Sequence, residues 1–286
     1  MKLLRIGVAG AERPAVLEPD GTVRDASAVT SDYDSAFFAA GGLEELREAL
    51  RSSPDRLPVT SAEGVRTGAP IARPPKVVCI GLNYADHAAE SGNPVPAEPT
   101  VFMKATNTVV GPNDQVLIPR NSSKTDWEVE LGVVIGRTAR YLASPEEGLA
   151  CVAGYCVSND VSEREFQLER GGQWDKGKSC ETFNPLGPWL VTADEVADPQ
   201  RLRMSLAVNG DKMQDSSTEK MVFGVGHLVW YLSQFMVLEP GDLLNTGTPS
   251  GVGMGRDPQR FLRAGDVVEL EIEGLGRQRQ TCADAS

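Results

Sequence analysis

Two acidic side chains with the spacing of a chemical site lie in the stretch Asp126–Gly136, which reads DWEVELGVVIG. Side chains alternate between the faces of a strand, so Glu128 and Glu130 would point the same way, opposite to Trp127 and Val129. Two carboxylates side by side on a half-buried strand repel each other and lose hydration. A divalent cation would offset that cost, and oxygen ligands at this density favour Mg²⁺, Mn²⁺ or Ca²⁺ over Zn²⁺. The alternative is a solvated strand face that carries two ordinary surface glutamates.

Three further side chains could complete such a site. Asp160 follows an apolar stretch and would supply a third carboxylate; alternatively, it caps a following helix. His87 and Glu90 lie three residues apart, so on a helix they share a face. A carboxylate that orients a histidine makes a general base, whereas the same pair on a surface helix is an ordinary ion pair.

Arg164, Gln167 and Lys178 are candidates for holding a small anionic ligand. Arg164 and Gln167 share a helix face and would bind a carboxylate or carbonyl, or else form a solvated polar face. Lys178 lies in Gly172–Ser179, a formal match to the phosphate-binding pattern GxxxxGK[ST]. That motif needs an apolar strand before it and a long helix after it, but a polar segment precedes and Pro185 follows. We therefore predict no nucleotide site and interpret Lys178 as a lone cation near the carboxylates.

A glycine-rich loop, Gly247–Gly255, follows in the C-terminal part of the chain. It is not a GxGxxG motif after a clean strand, so a dinucleotide site is not indicated. We predict a backbone that approaches a small ligand closely, with Thr248 as a hydroxyl contact.

The elements that would position these residues are many strands and few helices in irregular order. This pattern predicts an α+β fold rather than a doubly wound sheet. Residues 1–70 look like a small N-terminal domain and residues 71–286 like the main domain, with a Pro- and Gly-rich linker between them. The main predicted strands are 100–103, 116–118, 128–135, 150–158, 189–192, 205–208 and 267–272. Helices are expected near 84–91, 146–150, 161–170 and 221–237.

Composition limits the class of protein and of partner. The net charge of −12 and the pI of about 4.8 argue against nucleic acid or an anionic membrane as a partner. Five cysteines without a CxxC pair, and no secretory signal at the start, predict a reduced cytoplasmic protein. The uncharged segment Met221–Leu238 is near the minimum length of a membrane span, but its polar residues favour a buried or interface helix.

Five motifs, in this order within residues 70–280, resemble those of the fumarylacetoacetate hydrolase superfamily: Gly81–Glu90, Asp126–Gly132, Ser158–Asp160, Gly177–Ser179 and Thr246–Gly253. Shorter segments are most similar to the bacterial 2,4-diketo-3-deoxy-L-fuconate and L-rhamnonate hydrolases: Lys2–Arg5, Gln173–Trp174, Gln234–Met236 and Gly251–Gly255. Fumarylacetoacetases proper carry a fourth acidic ligand before the catalytic histidine. The segment Val77–Asn83 has no acid, which favours the acylpyruvase-like branch.

The resemblance implies a specific site and assembly. A divalent cation, Mg²⁺ or Mn²⁺ (with Ca²⁺ as a substitute in crystals), would bind Glu128, Glu130 and Asp160. The catalytic residues would be His87 and Glu90 on a lid helix, together with Lys178, and the substrate contacts would be Arg164, Gln167 and Thr248. The implied fold is a mixed β-roll or β-sandwich core behind a small N-terminal domain, and the implied assembly is a homodimer.

The implied activity is hydrolysis of a carbon–carbon bond in a 2,4-dioxo acid, which yields pyruvate and a second acid. For a 2,4-diketo-3-deoxy sugar acid, the second product would be lactate. Three alternatives share this scaffold: decarboxylation of oxaloacetate, cleavage of ureidoglycolate, and hydration or isomerisation of related dioxo acids. A further possibility, of a different class, is a non-catalytic protein that binds a small acid.

Overall fold

The computed structural model describes residues 1–286 and consists mainly of β-strands with a few short helices. The strands are β1 (Lys2–Ile6), β2 (Arg13–Leu17), β3 (Val23–Asp25), β4 (Val59–Thr60), β5 (Val77–Gly81), β6 (Thr100–Lys104), β7 (Val109–Val110), β8 (Val116–Ile118), β9 (Thr125–Asp126), β10 (Val129–Ile135), β11 (Val152–Asn159), β12 (Ser162–Glu163), β13 (Asn184–Thr192), β14 (Arg203–Val208), β15 (Asp211–Ser217), β16 (Leu243–Asn245), β17 (Val267–Ile272) and β18 (Gly276–Asp284). The helices are α1 (Ser35–Ala39), α2 (Gly42–Ser52), α3 (Ala85–Glu90), α4 (Pro145–Ala150), α5 (Asp175–Lys178) and α6 (Val225–Leu232), with one π-helical turn at Glu165–Glu169. The α+β prediction is confirmed.

Two sheets form the scaffold. The larger has the order β4-β3-β2-β1-β13-β11-β10-β16-β5-β6, with β7 beside β13, and the smaller has the order β15-β14-β17-β18-β8. Between them lies the larger apolar core, in which Leu131 and Val133 of β10 belong to the same cluster as Leu206 and Leu270. A third, two-stranded pairing joins β9 to β12.

Strand β10 is central, because it pairs with β11 on one side and β16 on the other and is buried along its whole length. Its alternation is clear: Leu131 and Val133 face the smaller sheet, whereas Val134 belongs to a second apolar core. Glu130 shares the face of Val134, four residues away. One face of this strand is therefore apolar at one end and acidic at the other.

The N-terminal strands extend the larger sheet. β1 pairs antiparallel with β13, with Lys2 opposite Val191. The second apolar core includes Leu3 and Phe37 from this part of the chain together with Val77 and Val134 from the later part. The N-terminal segment is therefore packed directly onto the main sheet, and the proposed boundary near residue 70 stays a prediction.

Some local predictions agree closely with the structure and others do not. Strands β8 and β17 have the predicted bounds. The helix predicted near 161–170 is only partly present, because Ser162 pairs with Asp126 in β12 and a π-helical turn covers Glu165–Glu169. The helix predicted over 221–237 is shortened to the eight residues of α6. None of the helices combines the length and the apolar character needed to cross a bilayer.

Candidate active site

Three carboxylates converge at the end of β10 and β11. The antiparallel register sets Glu130 opposite Ser158 and Val129 opposite Asn159, so Glu128 and Asp160 follow as neighbours beyond the pairing. The amide of Asp160 donates to the Glu128 carbonyl oxygen at 2.9 Å. One oxygen from each of Glu128, Glu130 and Asp160 lies within 4.8 Å of the others. All three side chains are buried, so the alternative of surface glutamates is wrong.

Asp160 is held by two buried lysines and does not cap a helix. Lys178 Nζ lies 2.8 Å from Asp160 Oδ2 and 2.7 Å from Glu128 Oε2. Lys104 Nζ binds the other oxygen, Asp160 Oδ1, and the Val161 carbonyl oxygen at 3.0 Å. Because β12 rather than a helix follows Asp160, the capping alternative is wrong. Lys178 was expected to be a lone cation near the carboxylates, but Lys104 is a second buried lysine that binds Asp160.

Arg164 ties two acidic side chains together. Its Nη2 donates to Glu128 Oε1 at 2.7 Å, and its Nε donates to Asp126 Oδ2 at 2.9 Å. Its Nη1 donates to Gln167 Oε1 at 3.1 Å, so the predicted pair of Arg164 and Gln167 is in contact. Both side chains are buried, and the alternative of a solvated polar face is wrong.

The electrostatics differ between the two glutamates. Burial alone would raise the pKa of Glu128, but the Lys178 and Arg164 cations outweigh it and hold that pKa below its usual range. For Glu130, burial and the negative charges of Asp160 and Glu128 raise the pKa well above its usual range. Its carboxylate accepts one hydrogen bond, from the Gly247 amide at 2.8 Å. Glu130 is thus the carboxylate that lacks a compensating cation.

These features fit a hard divalent cation. Three buried carboxylate oxygens within 4.8 Å of one another are a donor set typical of Mg²⁺ and Mn²⁺. A buried anion without a cationic partner is costly, and an ion bound by Glu130 would remove that cost.

The histidine and its partner lie beside this cluster on the short helix α3. His87 Nδ1 is 3.2 Å from Glu90 Oε2, and Glu90 Oε1 accepts from the Gly251 amide at 2.8 Å. Asn83, just before the helix, fixes its start by donating to the Thr246 carbonyl oxygen at 2.8 Å. With Nδ1 directed at Glu90, the other ring nitrogen of His87 remains available to a ligand. His87 is buried and lines the cavity described below.

The glycine-rich loop supports acidic side chains. The Gly253 amide donates to Asp126 Oδ1 at 2.6 Å, and the Met254 amide donates to Asp126 Oδ2 at 3.0 Å. A Cβ atom on Gly255 would lie 2.3 Å from the carboxyl carbon of Glu90. We expected these glycines to allow close approach to a ligand, but the groups they approach are Asp126 and Glu90.

One cavity of about 130 Å³ connects the cluster with the histidine. Most of the predicted site residues line it: His87, Glu128, Glu130, Arg164, Gln167, Lys178 and Thr248. The hydroxyl of Thr248 donates to the Val129 carbonyl oxygen at 2.9 Å and accepts from Gln214 at 2.8 Å. Its only proton is thereby engaged, and the predicted carboxylate contact stays a prediction.

Two buried residues of the cluster, Lys104 and Asp126, were not assigned a role from the sequence. Lys104 ends β6, a strand with no other charged residue, and nothing in its spacing links it to Asp160. Asp126 stands at the start of the acidic motif, but its partners are a distant arginine and the glycine-rich loop.

Comparisons with known proteins agree with this geometry. The model of the fumarylacetoacetate (FAA) hydrolase C-terminal family matches residues 76–283. A Burkholderia lata protein named "Putative hydrolase" is 54% identical over 286 residues, which cover 100% of both chains. The solved maleylpyruvate hydrolase from Sphingobium sp. SYK-6, in complex with manganese(II) and pyruvate, is 28% identical, with a TM-score of 0.81 and 100% of both chains covered. The 5-carboxymethyl-2-hydroxymuconate delta-isomerase from Mycobacterium smegmatis is 31% identical, with a TM-score of 0.77 and the same coverage.

Proposed function

The chain belongs to the fumarylacetoacetate hydrolase family, and we propose that it hydrolyses a carbon–carbon bond in a 2,4-dioxo acid of the acylpyruvate type. The products would be pyruvate and the acid derived from the acyl group. The observation that supports this proposal is one cavity lined by Glu128, Glu130, a buried lysine and His87, with Asp160 bound to that lysine and Glu90 in contact with the histidine. Each has a distinct task in such a cleavage.

The cation would be held by Glu128, Glu130 and Asp160, and we propose Mg²⁺ or Mn²⁺. When bound, it supplies positive charge that binds the 2-oxo acid end and stabilises the electrons released there on cleavage. Lys104 fixes Asp160 through Oδ1, and Oδ2 accepts a hydrogen bond from Lys178.

His87 would act as the general base. Glu90 holds the proton of Nδ1 and keeps the ring in one orientation, so the other nitrogen accepts a proton from water. The resulting hydroxide attacks the C4 carbonyl carbon. Lys178, with Gln167, donates to the oxygen on which negative charge develops. The bond between C3 and C4 then breaks, its electrons remain on the pyruvate part, and a proton at C3 completes pyruvate.

The test is pyruvate release from a panel of 2,4-dioxo acids with Mg²⁺ or Mn²⁺, with and without chelator. Replacing His87 by Ala should lower kcat by about 10²–10⁴-fold, since this is the usual contribution of a general base. Binding of Mn²⁺, followed by calorimetry, should persist in the same variant because His87 is not among the ligands. Normal turnover of the variant would overturn the assignment of the base. Absence of pyruvate from every member of the panel would overturn the proposed reaction.

A second reaction on the same site is isomerisation of a dioxo acid. The similarity to a delta-isomerase at 31% identity supports this candidate. Decarboxylation of oxaloacetate also needs the cation but no attacking water, so it should survive replacement of His87. Assaying oxaloacetate and a 2,4-dioxo acid side by side in the unmodified protein and the His87→Ala variant separates decarboxylation from hydrolysis. The sugar-acid substrate and the homodimer stay predictions.

A further inference from the structure

Part of the cavity lining is apolar, and it begins at Phe102, whose ring centre lies 5.0 Å from Lys178 Nζ. Gly81 has no side chain, and a Cβ atom there would lie 2.5 Å from the Trp174 ring, so this glycine lets the indole close the wall. The Phe102 ring meets Trp174 edge to face at 5.4 Å. The apolar wall, as we call it, consists of Ile80, Leu82, Phe102, Leu168, Trp174 and Met254.

Every cationic side chain that lines the cavity is already engaged. Lys178 is bound by Glu128 and Asp160, Arg164 is bound by Asp126 and Glu128, and His87 is in contact with Glu90. Apart from the predicted site residues named above, the polar side chains in the lining are the neutral Ser91 and Asn93, which follow α3. A second anionic group beside the apolar wall would meet no cation that lacks a carboxylate partner, because Lys178, the cation next to Phe102, is already bound by two carboxylates.

Resting on the proposed function, we infer that the protein acts on 2,4-dioxo acids with a single carboxylate and a neutral acyl end, and discriminates against those with a second carboxylate on that end. The first carboxylate and the 2-oxo group occupy the polar end of the cavity. The acyl end then lies against the apolar wall, where methyl and methylene groups lose water-exposed surface. A carboxylate at that position would lose its hydration without an ion pair, which is heavily penalised. A single hydroxyl on the acyl end would form a hydrogen bond with Ser91 or Asn93.

The test compares two substrates of equal chain length, 2,4-dioxoheptanoate and 2,4-dioxoheptanedioate, with the Mn²⁺-loaded full-length protein. The monoacid should have a kcat/KM about 100-fold higher, because the diacid places an unpaired carboxylate against apolar side chains. Shortening the monoacid to 2,4-dioxopentanoate should lower kcat/KM by about tenfold or more, through lost apolar contact. Equal or better use of the diacid overturns the inference and leaves the proposed hydrolysis intact. No pyruvate from any of the three compounds overturns the proposed hydrolysis itself.

A substitution on the apolar wall sharpens the test. Leu168 is 46% exposed, so Leu168→Lys places an ammonium at the edge of the cavity with little risk to folding. The ratio of diacid to monoacid kcat/KM should rise about tenfold. Leu149→Lys is the matched control, because Leu149 is 43% exposed and lies outside the cavity lining. A ratio that is unchanged in Leu168→Lys, or that rises equally in the control, overturns the inferred role of the wall.

Discussion

The carboxylate cluster and the histidine–glutamate pair share a cavity but are built in different ways. Glu128, Glu130 and Asp160 are placed by the register of two central strands, and buried cations from other elements bind Glu128 and Asp160. His87 and Glu90 lie on a six-residue helix, and Glu90 is fixed by one backbone amide of a glycine-rich loop. The cluster is therefore part of the core, whereas the pair depends on local contacts. Substitutions in the cluster should therefore change metal affinity and stability, whereas substitutions around the pair should mainly change activity.

The largest effect is expected from Glu130→Gln. This change preserves shape but removes the one carboxylate of the cluster without a cationic partner. Mn²⁺ affinity should fall about 10³-fold, equivalent to about 4 kcal/mol at 1.36 kcal/mol per factor of ten. Titration calorimetry measures this, with Glu271→Gln on the surface of β17 as the control. Unchanged affinity in Glu130→Gln would remove this residue from the ligand set.

Lys104→Met tests whether the cluster belongs to the core. The substitution leaves Asp160 buried with one lysine instead of two, and breaking a buried pair costs about 3 kcal/mol or more. Urea unfolding of the metal-free protein measures the loss. Saturating Mn²⁺ should recover part of it, because the ion then neutralises the same carboxylate. A loss below about 1 kcal/mol would contradict the structural role of this lysine.

Metal binding should stabilise the fold independently of the pair. At a Mn²⁺ concentration of 100 times Kd, the free energy of unfolding should rise by about 2.7 kcal/mol. The same increase is expected for His87→Ala, since that residue contributes no ligand. Denaturant unfolding with and without Mn²⁺ provides the measurement. If the increase were absent in His87→Ala only, metal binding would depend on the pair, and the two regions would not be independent.

The difference between local contacts and contacts from distant segments explains what could be predicted from the sequence. The alternation of Glu128 and Glu130 and the i, i+3 spacing of His87 and Glu90 are local patterns, and the structure places each pair as expected. The contact between Lys104 and Asp160 depends on how β6 and β11 are brought together by the sheet, which no local spacing reveals.

The strand that replaces the first part of the helix predicted near 161–170 has a similar cause. Ser162 and Glu163 pair with β9, which lies some 36 residues earlier, and this tertiary pairing overrides local helix preference. The glycine-rich loop was recognised from its composition, but its partners were not. Glu90 and Asp126 are more than 100 residues away along the chain.

The smallest effect, and the one specific to the pair, is expected from Gly255→Ala. The new methyl group would lie 2.3 Å from the Glu90 carboxyl carbon, so the carboxylate must move away from its position beside His87. Because Glu90 is a flexible side chain, it can move without unfolding the protein. A displacement of this size should lower kcat/KM by about 10–100-fold through misorientation of the base.

Gly255→Ala should leave Mn²⁺ affinity within twofold of the unmodified protein, since the ligands lie on the sheet. Replacing the adjacent exposed Arg256 by Ala controls for general perturbation of the loop. This change should leave both kcat/KM and Mn²⁺ affinity unaltered. Loss of Mn²⁺ affinity in Gly255→Ala would show that the loop also supports the cluster, through Asp126 and Arg164. Retention of full activity would show that Glu90 does not need its observed position. Either result would break the division between a core-built cluster and a loop-held pair, and the first would identify the link between them.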